Sequence, residues 1–199
     1  MPYLILALLF SFLLSGCSTT YPVVTEYRIN TKLNVEKVQS SKCKDKSIKV
    51  AQAFSSSLLM SLDMNYGVGD DKQFSYSQSQ WALSPNNAMS AELVDMLRKM
   101  DIFQTVQIPK SRTRNDLILE SSIDEFMQYY NEEENRSFVK VKISLSVIDT
   151  KTLQAIETKS FAKELEASSL DSSGGVKALN LALENLLMDS AKWIEEICR

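Results

Sequence analysis

The side chain best placed for a defined chemical task is the thiol of Cys17. It follows an apolar run over residues 4–14 (LILALLFSFLL) and the small residues Ser15 and Gly16. A thiolate is the common side-chain nucleophile that alkylates to a stable thioether. The run is about half of the ~20 residues a helix needs to cross hydrocarbon. It falls within the roughly 7 to 15 residues of a secretory h-region. Small residues between the run and the cysteine suit a peptidase that binds its substrate extended.

Leu14-Ser15-Gly16-Cys17 resembles the bacterial lipobox, Leu-small-small-Cys. The resemblance implies a diacylglycerol on Cys17, cleavage just before it, and acylation of the new amine. Each buried CH₂ contributes about 0.8 kcal/mol, so three acyl chains anchor a protein where one would not. Residues 1–16 are then a lipoprotein signal peptide and residues 17–24 the lipidated cysteine with a short tether. Ser18 stands where an aspartate would signal inner-membrane retention, which points to the outer membrane, facing the periplasm. Residues 1–3 hold no Lys or Arg, so an ordinary cleaved signal, or a buried helix with a chance cysteine, is the alternative.

Other chemistry is limited by composition. The chain has no histidine, which removes the usual general base, the commonest metal ligand and the histidine-containing triads. We expect no catalytic residues, no metal and no cofactor. Gly67-Val68-Gly69 lacks the length and the lysine of a phosphate-binding loop. The net charge of −3 argues against nucleic acid, which demands a concentrated basic surface. Cys43 and Cys198 are the remaining thiols. In an oxidising periplasm they predict a disulfide, with two free buried thiols as the alternative. Lys110, Arg112 and Arg114 make a basic loop that offers contacts to lipid headgroups or an acidic partner, or is a solvated turn. Trp81 ends a Ser/Gln-alternating stretch that would offer a partner strand an aromatic surface, or is half-buried beside a solvated face. Asp70-Asp71 and Glu132-Glu133-Glu134 lack metal-loop spacing and read as solvated charge.

These residues need a scaffold, and hydrophobic periodicity outlines one. Strands are expected over residues 25–30, 47–54, 72–81, 103–108, 116–130, 137–149 and 153–165. In 47–54 the alternation puts Ile48, Val50 and Phe54 on one side. In 116–130 it puts Leu117, Leu119, Ile123 and Met127 on one side. Residues 137–149 set Val139, Val141, Ile143, Leu145 and Val147 against Lys140, Lys142, Ser144 and Ser146, so that sheet has a wet face. Gly67, Gly69 and the aspartate pair mark a loop. Ser84-Pro85 opens a helix with Met89, Leu93, Met96, Leu97 and Met100 on one stripe, read as core rather than a lipid groove. Ser172-Ser173-Gly174-Gly175 breaks the chain before a final helix striped by Val176, Leu179, Leu183, Leu186, Leu187 and Ile194, with Trp193 beside it. The order predicts one α+β domain over residues 25–199. It is a two-layer sandwich, a mainly antiparallel sheet with two helices on one face.

The series IKVAQAF, SYSQSQWALSPNNAM, ELVDMLRKMDIFQTV, DLILESSIDEF and VKVKISLSVIDTKTLQAI, closed by a helix ending near KWI, resembles the auxiliary lipoproteins of ABC-type lipid transport systems. The paraquat-inducible system's lipoprotein is the type member. The most telling local feature is Trp81, then Ser84-Pro85 and a helix, then Phe103-x-x-Val106. The likeness spans nearly all of residues 17–199. It implies a non-enzymatic, outer-membrane lipoprotein that docks an MCE-domain protein and helps phospholipid pass between membranes. An inner-membrane permease and ATPase would supply the energy. Oligomeric state is left open. A regulatory or scaffolding envelope lipoprotein, such as an activator of a cell-wall synthase, is the alternative. The short tether favours a body held close to the membrane, whereas reaching the wall would need length.

Overall fold

The computed structural model describes residues 22–199, so the expected signal segment and Cys17 lie outside the described residues. In chain order the elements are β1 (Thr25–Tyr27), β2 (Ser47–Val50), β3 (Phe54–Ser55), a 3₁₀ turn (Ser57–Met60), β4 (Asp63–Val68), β5 (Lys72–Trp81) and α1 (Pro85–Met100). There follow β6 (Thr105–Gln107), β7 (Leu117–Tyr130), β8 (Ser137–Asp149), β9 (Gln154–Glu166) and α2 (Ser172–Ile197).

β7 is the organising strand. Along one flank it pairs antiparallel with β8 from Leu117↔Asp149 to Tyr130↔Ser137, and β8 pairs antiparallel with β9. Along its other flank β2, β3 and β4 succeed one another, each parallel to β7. β5 returns antiparallel to β4, β1 runs parallel to β5, and β6 runs parallel to β2. The long ladders are therefore antiparallel and the parallel ones are short. α1 lies over β2, β6 and β7, and α2 over β7, β8 and β9, which makes the two-layer α+β sandwich.

The alternation of β8 holds throughout: Val139, Val141, Ile143, Leu145 and Val147 are buried under α2. Its opposite face is a polar ladder, with Ser144–Ser160 and Ser146–Thr158 hydroxyl pairs at 2.8 Å. Met89, Leu93, Met96, Leu97 and Met100 are all core, as is the α2 stripe. Trp193 is buried against Phe161, and its Nε1 donates to Glu157 Oε1 at 2.6 Å. Among the described residues the core is built from residues 33–198.

Four local expectations are corrected. Between Val50↔Leu119 and Phe54↔Ser122, four steps on one strand match three on β7, and the extra residue inverts the phase. Phe54 therefore leaves the Ile48–Val50 side and stands 70 % exposed, while Ala53 and Ser55 turn inward. A bulge between Ile123 and Glu125 does the same to β7, so Phe126 is core and Met127 moves to the open face. Gly67, expected in a loop, lies in β4, where the Tyr129 ring covers it; a Cβ there would lie 2.6 Å from Tyr129 Cδ1. Gly174 and Gly175 do not break the chain but form the first turn of α2. Asp171 caps that turn, its carboxylate accepting from Gly174 N at 2.8 Å, and this bond holds the Asp171 pKa below the usual range.

Gly175 is required by packing. A Cβ there would lie 1.8 Å from Gln128 Oε1. The buried Gln128 amide donates to Ser137 Oγ and to Asp171 O, and accepts from the Tyr76 hydroxyl. At an unconstrained helix position Gly→Ala gains roughly 0.5–1 kcal/mol. Here it displaces a bonded buried amide, and each orphaned group costs about 1–3 kcal/mol. Gly175→Ala is expected to lower stability by about 2 kcal/mol, read as a lower urea midpoint with an unchanged slope.

Residues 28–46 form a strap across the outside of the helix layer. Asn30 N and Lys32 N donate to Asn180 Oδ1 and Glu184 Oε2 on α2, each at 3.0 Å. Thr31 Oγ1 bonds Glu92 of α1, whose carboxyl is raised by burial above its ordinary pKa. The strap ends in the Cys43–Cys198 disulfide, with a Cα–Cα distance of 5.3 Å.

Candidate functional site

The flank of β7 opposite β8 is split, because β4 and β5 occupy one half and β2 and β6 the other. The 3₁₀ turn and the start of α1 meet in the notch between them. Two uncharged stretches converge there, residues 50–62 and residues 73–91. With no charge to hold side chains in water and no element above them, large apolar groups stand exposed. They are Phe54, Leu58, Met60 and Leu62 from the first stretch, Leu83 from the second, and Ile108 after β6. Trp81 N donates to Leu62 O at 2.7 Å, which ties the two stretches together.

Three cavities open around this rim. One of about 400 Å³ runs along α1 between Leu83, Ala91, Val94, Ile108 and Pro109, with Asp95, Arg98 and Lys110 at its polar margin. A second, of about 370 Å³, lies beside Phe54 on the open face of the sheet, over Ser122, Ser144 and Ser146. A smaller one of about 180 Å³ sits under Leu58 and Leu59, with Met127 and Tyr129 on its wall. The Tyr129 hydroxyl is held protonated well above its ordinary range, first by burial and then by the neighbouring Glu125 carboxylate.

Trp81 is not a surface for a partner strand. It is 4 % exposed, packs on Phe126 at 5.8 Å between ring centroids, and forms part of the wall of the smallest cavity. Its place in the sequence could not show this, because the covering atoms come from the 3₁₀ turn and from β7. The basic loop is exposed but dispersed. Lys110 borders the α1 groove, Arg112 projects from the surface, and Arg114 borders a separate cleft of about 660 Å³ with Lys49, Lys151 and Asp116. The Asp116 carboxylate accepts from Ser47 N at 2.9 Å and Ser47 Oγ at 2.7 Å, which lowers its pKa. Lys49 Nζ donates to Ser111 O at 3.0 Å and so pins the basic loop to β2.

The acidic run is a hairpin turn in which Asn131 Oδ1 accepts from Asn135 N and Arg136 N. Among the described residues no three Cys, Asp or Glu side chains are gathered to hold a metal ion. The hydroxyls of the open face bond one another and Asp124. The arrangement is chemically a contact surface, apolar in the middle and cationic at one margin. Periodicity placed Phe54 on the Ile48–Val50 side and did not single out the other rim residues; the absence of charge over residues 50–62 was the available signal.

No protein-family model matches the sequence, and no curated protein is similar to it. Solved structures do match its fold. The chain superposes on the crystal structure of a DUF330 protein from Xanthomonas campestris with a TM-score of 0.75. The two are 14 % identical, over 87 % of this chain and 96 % of that one. A hypothetical protein from Chlamydia trachomatis gives 0.52 at 11 % identity, over 77 % and 98 %. At such identities the likeness establishes the α+β fold alone. Among the described residues no helix is long and apolar enough to cross a membrane.

Proposed function

We propose that this protein is a lipid-anchored periplasmic lipoprotein, an auxiliary component of an ABC/MCE-type intermembrane phospholipid transport system. It docks the MCE-domain protein at the outer membrane and acts by contact rather than catalysis. The observation that carries this reading is the ordered motif series from Ile48 to Ile156, closed by α2. The series follows a lipobox-like Leu14–Cys17 and lies in a chain without histidine. The disulfide supports an oxidising compartment. The uncharged rim supports a role in contact.

Crosslinking in cells, followed by purification of the full-length protein from membranes, tests it. An MCE-domain protein is expected as the main crosslinked partner, with permease and ATPase recovered alongside. Recovery of a cell-wall synthase without an MCE-domain protein would replace this reading with the regulatory one.

A further inference from the structure

We propose that the notch edge of the folded body lies directly on an anionic phospholipid surface, as a second attachment besides any lipid on Cys17. Three independent features of the described chain meet at this edge. The first is the apolar rim, with Phe54, Met60 and Leu83 each about half exposed or more. Side chains of this kind, unaccompanied by charge, partition into the headgroup–acyl boundary.

The second is charge. Arg98 and Lys110 border the α1 groove, exposed Arg112 follows Lys110 by two residues, and Arg114 and Lys49 line the separate cleft. The acid lining the α1 groove is Asp95, which is paired with Lys99 at 2.8 Å, while Asp63, Glu120, Asp124 and Glu125 line the two cavities on the open face. A further acidic group, Asp70, Asp71 and Glu132 to Glu134, lies in the hairpins at the far end of β4 and β7, where Glu132 is paired with Lys72 at 2.8 Å. Along the α1 groove, an apolar rim with a basic margin matches a bilayer carrying anionic headgroups.

The third is where the chain enters the body. β1 is an edge strand on the same side, and its Thr25 pairs with Ser79, two residues before Trp81. Val23 and Val24, just ahead of it, are exposed. Cys17 and Pro22 are only five positions apart, a reach of at most about 18 Å. Attachment through that tether would present this edge to the membrane and leave β9, at the opposite edge, facing away. The inference goes beyond docking to an MCE-domain protein and does not depend on it, because lipid alone is the proposed contact.

The test uses the full mature chain, residues 17–199, with Cys17→Ala so that no acyl chain contributes. Sedimentation is measured with vesicles of phosphatidylethanolamine plus phosphatidylglycerol, and with phosphatidylcholine vesicles. Binding to the anionic vesicles is expected, weakening as salt rises. Phe54→Ser and Met60→Ser should each reduce partitioning by about tenfold. Lys110→Glu with Arg112→Glu should reduce it by roughly tenfold. Leu153→Ser, at the exposed turn before β9, should leave it unchanged. All these side chains are exposed, so circular dichroism should show the parent fold. Equal binding by parent and rim variants would overturn the proposal. So would absence of binding to anionic vesicles, which would assign the rim to a protein partner instead.

Discussion

Native protein purified from membranes is expected to begin at Cys17 and to carry the mass of three acyl chains. A body that reaches the periplasm with Cys17→Ala, behind an ordinary cleavable signal, is expected in the soluble fraction after a high-salt wash. The effect is large because acyl anchoring accumulates at about 0.8 kcal/mol per buried CH₂. A single myristoyl chain binds only marginally, whereas three chains make release negligible on a cellular timescale. The rim leaves a weaker, salt-sensitive attachment, so the wash separates the two contributions. Mass spectrometry of the native N-terminus reads the first outcome and fractionation the second. An unacylated Cys17 would remove the anchoring premise.

Loss of the disulfide should have the largest effect on stability. The bridge closes a loop with a sequence separation of 155. In the chain-entropy model a loop of that length contributes about 5 kcal/mol by restricting the unfolded ensemble. The bond also joins the strap to the last turn of α2, where Lys42 N donates to Cys198 O at 2.7 Å. Replacing Cys43 and Cys198 together by serine is expected to cost about 3–5 kcal/mol. The urea slope should rise as well, because an uncrosslinked unfolded chain exposes more surface. Equilibrium unfolding of the double variant and of the parent, with and without reductant, measures both quantities. Identical midpoints for oxidised and reduced parent protein would show that the strap is held by its hydrogen bonds alone.

Much of the fold was legible because periodicity is a local property. The valines, isoleucine and leucine of β8 alternate with lysines and serines, and nothing elsewhere in the chain can change which face they share. The methionine–leucine stripe of α1 and the leucines of α2 likewise announce buried helix faces. β4 was missed because Gly67 and the following Gly69 read as loop. The Tyr129 ring that makes Gly67 suitable for a strand lies far along the chain. Phe54 and Met127 were placed on the wrong side because each follows one extra residue. Such an insertion is defined only by the partner strand, β7 in the first case and β8 in the second.

The candidate surface divides in the same way. By itself the amino-acid order determined the cysteine-containing leader motif, the absence of imidazole chemistry, the core-facing stripes and the uncharged stretches. The remaining two thiols also predicted the Cys43–Cys198 bridge that the fold forms. Tertiary structure alone decided that Trp81 is wall rather than surface, and that residues 50–62 and 73–91 converge at one edge. Periodicity reports which residues face the same way along one element. Whether they are covered depends on what other elements bring to that face, and here the split flank of β7 leaves the notch side chains uncovered.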